Sequence, residues 1–193
     1  MSVQIRIADY YDLQFAEEIC AIMEEAAKHR GTGIAKRKPA YLRNKMQTGN
    51  AVIALVDDQV AGFCYVETWD HGQYIANSGL IVFPQFRGLG LARKIKARIF
   101  QLSREKYPNA KVFGITTSLA VMKINSDLGY RPVTFSELPK DETFWKGCSS
   151  CVNYDILNRT ERKMCLCTGM LADPITIEKQ TESNANKKSS ISL

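Results

Sequence analysis

Apolar and polar residues alternate at the start of the chain: Val3, Ile5 and Ile7 are separated by polar positions, a period of two that predicts a short half-exposed strand over residues 2–8. The period then lengthens. Leu13, Ala16, Cys20, Met23 and Ala27 recur at helical spacing behind a capping Asp9 or Asp12, predicting an amphipathic helix that Gly31 and Gly33 end. A second short helix is expected over residues 39–46. From Asn50 the pattern becomes strand-like, with hydrophobic runs over 51–56 and 59–66 joined at Asp57-Asp58 as a hairpin. Gly72 marks another turn, and residues 74–83 predict a fourth strand, stopped by Pro84. Leu91, Ile95, Ile99 and Leu102 then form one helical stripe that Pro108 and Asn109 terminate. A strand over 111–117, a helix over 119–128 stopped by Gly129, and last strands from Val133 onward and over 151–157 complete the expected order. Residues 173–193 carry Pro, Ser, Asn, Thr and Lys without apolar period and predict a flexible tail.

The junction between the fourth strand and the long helix carries the chemistry. Residues 80–83 are apolar, Gly88 and Gly90 supply a turn, and the helix begins at about Leu91. A strand, a glycine turn and a helix N-terminus make an anion cradle, because free N–H groups and the positive end of the helix dipole face the same point. GxxxxGK followed by Ser or Thr is absent, and so is GxGxxG, which removes the P-loop and dinucleotide readings.

Composition narrows the picture further. At 193 residues, 45% hydrophobic and 24% charged, the chain is of ordinary single-domain size and globular composition. No apolar run approaches membrane-spanning length and the first ten residues do not resemble a signal peptide, so a cytoplasmic protein without membrane partners is expected. The net charge of +6 suits an anionic ligand. Nucleic acid is disfavoured, since the basic residues are not interleaved with aromatic platforms.

The string Arg87-Gly88-Leu89-Gly90-Leu91-Ala92, with Pro84 three residues before Arg87, resembles the R/Q-x-x-G-x-G/A loop of the GNAT family of acyl-CoA-dependent N-acyltransferases. A second frame beginning at Gln85 also fits, but the position of Pro84 favours Arg87. The order strand, two helices, three antiparallel strands, helix, strand, helix, strands is also similar to that family's. The resemblance implies a mixed α/β (α+β) fold with a splayed central sheet flanked by helices. It spans a domain over residues 1–157, here followed by a cysteine-rich hairpin over 144–171 and a tail over 172–193.

The same resemblance implies acetyl-CoA, or another acyl-CoA, as co-substrate. Its pantetheine arm would pair with the backbone of Ile81, Val82 and Phe83. One N–H there would face the thioester oxygen, and the pyrophosphate would rest on the amides of Arg87, Gly88, Leu89, Gly90, Leu91 and Ala92. Arg93, Lys94 and Lys96 are either near the nucleotide phosphates or solvated helix charge. Glu67, Asp70 and His71 are candidate bases, with Glu67 favoured, and any of them can equally be a turn residue. Many family members protonate the leaving sulfur with a Tyr four residues before a Gly-Phe pair. Here the pair is Gly129-Tyr130 and that position is Asn125, which can hydrogen-bond the sulfur but is no acid at neutral pH, leaving water or Ser126 to deliver the proton.

The loop after the first helix holds Arg30, Lys36 and Arg37, read either as solvated charge or as a lid that binds carboxylates. With the likeness to stand-alone family members that acylate the α-amine of glutamate in arginine biosynthesis, the second reading gives L-glutamate as the expected acceptor. Another small amine, a protein N-terminus, or acyl-CoA binding without catalysis are the alternatives. A small-molecule substrate and a homodimer are the partners expected. Cys148, Cys151, Cys165 and Cys167 form two close pairs that fit one structural zinc, unbound thiols or a redox pair, whereas Cys20 and Cys64 fall on apolar runs.

Overall fold

Strand β2 (Ala51–Val56) is buried at every position because helices cover both of its faces. Val52, Ala54 and Val56 turn to one side and Ala51, Ile53 and Leu55 to the other, so one run of apolar residues serves two cores. The computed structural model describes residues 1–30 and 37–174, the side chains of residues 29 and 30 excepted.

Through residue 128 the predicted elements appear in the expected order. Strands β1 (Val3–Ile7), β2, β3 (Gln59–Trp69), β4 (Tyr74–Val82), β5 (Lys111–Thr116), β6 (Arg131–Val133) and β7 (Thr168–Ala172) form one seven-stranded sheet in the order β1-β2-β3-β4-β5-β7-β6. Its pairs are antiparallel except β4 with β5. Helices α1 (Ala16–Arg30) and α2 (Pro39–Gln47) pack on one face through Ile19, Met23, Leu42 and Met46. Helix α3 (Leu91–Lys106) covers the other through Leu91, Ile95, Ile99 and Leu102, and α4 (Leu119–Asp127) lies beside it. Asp57 and Asp58 both take positive φ, 45° and 63°, as the hairpin turn requires. Asp9 and Asp12 are both caps, forming a reciprocal box around the turn that precedes α1.

Two departures from the expected order lie near the end. Residues 151–157 are not a strand: a turn at Cys151 leads into α6 (Tyr154–Arg159), after the short α5 (Glu142–Lys146). Of α6 only Leu157 is buried, packing with Trp145, Phe113 and Phe135, so a single anchor holds it and no alternating face exists for a sheet to bury. Cys148 and Cys151 therefore lie in and at the end of a helical turn, and Cys165 and Cys167 in the irregular approach to β7, rather than on a hairpin. The final strand is β7, inserted between β5 and β6. Gly169 permits that close fit, since a Cβ there would come within 3.0 Å of the Val133 carbonyl oxygen.

Two irregularities of β4 shape everything that follows. Its pairing with β5 is confined to Tyr74 with Lys111, Ile75 with Val112 and Ala76 with Phe113, after which the two strands part and leave a cleft. Its pairing with β3 slips between Phe63–Ile81 and Tyr65–Ser78, so Cys64 faces both Gly79 and Leu80. Gly79 has a φ of +65°, and a Cβ there would collide with the Tyr65 ring and the Met23 methyl group. Such a bulge bends β4 and re-aims its free edge.

Candidate active site

The glycine turn sits at the open end of the β4–β5 cleft. Pro84–Phe86 form one helical turn, Gly88 and Gly90 have φ of 87° and 71°, and α3 begins at Leu91 with no side chain capping it. A Cβ at Gly88 or Gly90 would meet nothing within 4 Å among the described residues, so the backbone faces open space. The first turn of α3 holds no acidic residue. Its unpaired amides and the dipole of a helix 16 residues long present a positive, unobstructed end. Arg87, Leu89 and Gly90 are exposed, Leu91 is buried as the helix's first anchor, and Ala92 lies between. Arg93 is engaged by Asp127 of α4, Lys94 is exposed, and Lys96 is turned inward, away from the loop.

Along the cleft, backbone direction distinguishes the three residues expected to line it. Phe83 donates its N–H to Ala61 at 2.9 Å, so that amide is spent on β3. Antiparallel pairing alternates, which turns Ile81 to β3 with Phe83 and leaves Val82 and, two residues back, Leu80 facing the cleft. The cleft edge is thus Leu80 and Val82 rather than Ile81 and Phe83. The side chains of Ile81 and Phe83 are buried against α1 and α2.

At the closed end, on the α2 face, Glu67 is 8% exposed and gathers a polar cluster. The Tyr41 hydroxyl donates to Glu67 Oε1, and Arg37 Nη2 lies 3.6 Å from Oε2. Arg37 Nε donates to the Tyr65 hydroxyl at 2.8 Å, and Lys45 Nζ donates to the Val66 carbonyl at 2.9 Å. The two cations flank the tyrosine pair: Arg37 Cζ is 5.3 Å and Lys45 Nζ 5.2 Å from the Tyr41 ring centre. Burial pushes the Tyr41 phenol up, reinforced by its bond to Glu67, and burial likewise raises Tyr65, so both remain donors at neutral pH. Burial pulls Lys45 down against the opposing effect of Glu67. For Arg37, burial acts downward, but Tyr65 and Glu67 together outweigh it and the guanidinium is held above its ordinary value.

Sequence reasoning placed Glu67 and Arg37 separately and missed Tyr41, Lys45 and Tyr65. The signal for Tyr65 was present, because residues 65 and 67 of one strand share a face. The other candidate bases are turn residues. Asp70 and His71 take φ of 48° and 55°, and Asp70 accepts the Lys140 amide at 3.0 Å. Arg30, through its side chain, and Lys36 lie outside the described residues.

Asn125 is 2% exposed; its Nδ2 donates to Met170 Sδ at 3.6 Å and its buried Oδ1 has no partner among the described residues. Ser126 is exposed. Cys148, Cys151, Cys165 and Cys167 are half-buried free thiols near one another. Burial first, then the neighbouring thiols, push Cys148 up to about 11 and Cys167 up to about 12. Among the described residues no group of three or more His, Cys, Asp or Glu is arranged to hold a metal ion, so the zinc expectation gains no support. Nor is any helix among them long and apolar enough to cross a membrane.

Comparison with known proteins agrees with this geometry. No curated protein matches the chain. Among solved structures, N-acetylglutamate synthase from Neisseria gonorrhoeae, complexed with coenzyme A and N-acetyl-glutamate, superposes with a TM-score of 0.62 at 19% identity, over 91% of this chain and 36% of that one. The chain thus spans about a third of the synthase's length. YncA from Salmonella typhimurium with its cofactor acetyl-CoA gives 0.63 at 15%, covering 91% and 96%. The ribosomal-protein-S18-alanine N-acetyltransferase of Escherichia coli gives 0.55 at 11%, covering 91% and 96%. These likenesses show a shared fold. The Acetyltransferase (GNAT) family itself matches residues 22–120, more than half of the chain, from within α1 through the splayed strands to the start of α4, and the protein belongs to that family.

Proposed function

We propose that this acetyltransferase-family protein moves an acetyl group from acetyl-CoA to the α-amine of L-glutamate or a close acidic amino acid, with succinyl-CoA as the alternative donor, as a cytoplasmic step of arginine biosynthesis. One observation carries the reading: a single cleft begins at a bare helix N-terminus and ends beside a carboxylate flanked by two cations. A CoA pyrophosphate suits the first end. The α-carboxylate and side-chain carboxylate of glutamate suit Arg37 and Lys45 at the other, where a cationic amine would be repelled.

The chemistry assigned to each group follows from its place. The amides of Gly88 to Ala92 hold the pyrophosphate, and the free edge of β4 at Val82 and Leu80 pairs with the pantetheine. An N–H of that edge, fixed by the bulge, stabilises the oxyanion as the amine attacks the thioester carbonyl. Glu67, oriented by Tyr41 and Arg37, takes the proton from the attacking nitrogen directly or through one water. The unpartnered Oδ1 of Asn125 supplies an acceptor for an N–H or S–H of the pantetheine end.

Thiol release should be followed across the twenty amino acids and several amines, with acetyl-CoA and succinyl-CoA. Preference for glutamate supports the proposal; preference for a cationic amine or a peptide N-terminus overturns the acceptor assignment while leaving the donor site intact.

A further inference from the structure

Lys96 is a buried cation that the site as described leaves without a role. It lies on the sheet side of α3 and is 3% exposed, whereas Arg93 and Lys94 one turn earlier reach solvent. Among the described residues its ammonium has no hydrogen-bond or ion-pair partner. The aromatic face of Tyr130, 5.2 Å from Nζ, is what it rests on. An ammonium held largely out of water without an anion is destabilising unless a ligand brings negative charge to it.

Its neighbours fix where that ligand would be. The Tyr130 hydroxyl donates to Asn77 Oδ1 at 3.1 Å, and Asn77 is the first residue of β4 beyond the last pair with β5. Cys64, the other titratable side chain facing Lys96, stands opposite the bulge and donates to the Ser78 carbonyl at 3.3 Å. From β1, β2 and β4, Ile5, Ile7, Val52, Ala54, Ile75 and Leu80 join the apolar cluster that includes α3, and Asn77 donates to Ser103 of α3. Lys96 is thus linked to the root of the cleft on the α3 side through the Tyr130 ring, whose hydroxyl reaches Asn77, whereas Glu67 stands on the α2 side.

Cleaving a thioester expels a thiolate, which needs a proton. Asn125 has none to give at neutral pH, and Ser126 is on the solvent side of α4. Burial pushes the Cys64 thiol up to about 11 and Tyr130 higher still, so both hold their protons. Burial acts in the opposite sense on Lys96, pulling it down to about 8, near an ordinary thiol at about 8.5.

We propose that the Lys96 ammonium at the root of the β4–β5 cleft protonates the departing CoA thiolate, an inference that rests on acyl-CoA occupying that cleft. The neutral acceptor amine forms its bond to the carbonyl carbon and gives a proton to Glu67. The C–S bond breaks with its electron pair going to sulfur, and sulfur takes a proton from Nζ. Lys96 is left neutral and recovers a proton from solvent, while Glu67 returns one, so the sum is one amide and one thiol.

Wild-type turnover of acyl-CoA with its best acceptor, followed against pH, is measured beside Lys96→Met and Lys96→Arg. Wild-type kcat is expected to fall above about pH 8 as Lys96 loses its proton. Lys96→Met is expected to lower kcat roughly 100-fold, with that falling limb gone and KM for acetyl-CoA little changed. Lys96→Arg, which keeps the charge but not the releasable proton, is expected to lose kcat similarly while still binding CoA. A wild-type kcat that stays flat from pH 7 to 9.5 overturns the inference, as does a Met variant within threefold of wild type. It is also overturned if Lys96→Met raises KM for succinyl-CoA and spares acetyl-CoA, because Lys96 then holds an acyl carboxylate. Absence of wild-type turnover with any acceptor would instead remove the acyltransferase reading itself.

Discussion

Glu67 of β3 stands opposite Ala76 of β4, and Ala76 is the last residue at which β4 still pairs with β5. The carboxylate is thereby fixed at the level where the cleft opens. A rigid strand position is what a general base requires, since misplacement by an ångström can cost two orders of magnitude in rate. Glu67→Gln keeps an acceptor for the Tyr41 hydroxyl but cannot take a proton. Its kcat is expected to fall by about 100-fold with the melting temperature nearly unchanged, and a fall of less than threefold in steady-state assays would remove Glu67 from the chemistry.

Arg37 is the described residue of the expected carboxylate-binding lid, and it reaches Glu67 and Tyr65 together. Replacing it with Gln removes a charge-assisted bond to the acceptor, roughly 1.5–3 kcal/mol, or about 10- to 100-fold in KM for glutamate. KM for acetyl-CoA should stay as it was, because the donor enters from the glycine loop. Equal changes in both constants would show that Arg37 holds the fold rather than the acceptor.

Gly90 has a φ of +71° and open space in front of it. Gly90→Val should place a branched side chain where the pyrophosphate is held, while costing about 1–2 kcal/mol of backbone strain. Calorimetric titration is expected to show no CoA binding at concentrations that saturate the wild type, with the melting temperature lowered by roughly 2–8 °C. Wild-type affinity in this variant would dismiss the loop as the phosphate site.

Lys96 also makes a prediction about stability. Its value in the folded chain is lowered to about 8 from an ordinary 10.5, so between those two pH values the unfolded chain binds the extra proton. Stability therefore rises with pH across that window, and the penalty is fully present below about pH 8. Lys96→Met should be more stable than wild type at pH 7, on the order of 2 kcal/mol by denaturant unfolding, and the difference should shrink by pH 10.5. A variant less stable at pH 7 would show that Lys96 has a favourable partner.

Much of this was legible in the sequence, and the reasons differ by element. The glycine turn could be placed because Pro84, Gly88, Gly90 and the Leu91 stripe are all local signals, each requiring one backbone geometry. The splay of β4 from β5 could be expected only by resemblance, since nothing in residues 77–82 or 114–116 marks where pairing stops. The Tyr41–Glu67 contact joins residues 26 apart on a helix and a strand, a distance no periodicity spans. Helix α6 was misread because Val152, Ile156 and Leu157 give an apolar run too short to separate a strand from a single helical turn. Lys96 was expected either near the nucleotide phosphates or as solvated helix charge, because the helical stripe runs through Ile95 and Ile99, and its position adjoining them is buried as well.

In the proposed reaction, acyl-CoA and an acidic amine meet at the root of the β4–β5 cleft and leave it joined by an amide bond. Carbon-13-labelled acetyl-CoA incubated with nitrogen-15-labelled L-glutamate and the protein tests it by NMR. A one-bond coupling between the labelled carbonyl carbon and the labelled nitrogen is expected with wild type, absent with Gly90→Val and growing about 100-fold more slowly with Glu67→Gln. Labelled acetate without that coupling, or transfer to a cationic amine in preference to glutamate in the same tube, would contradict it.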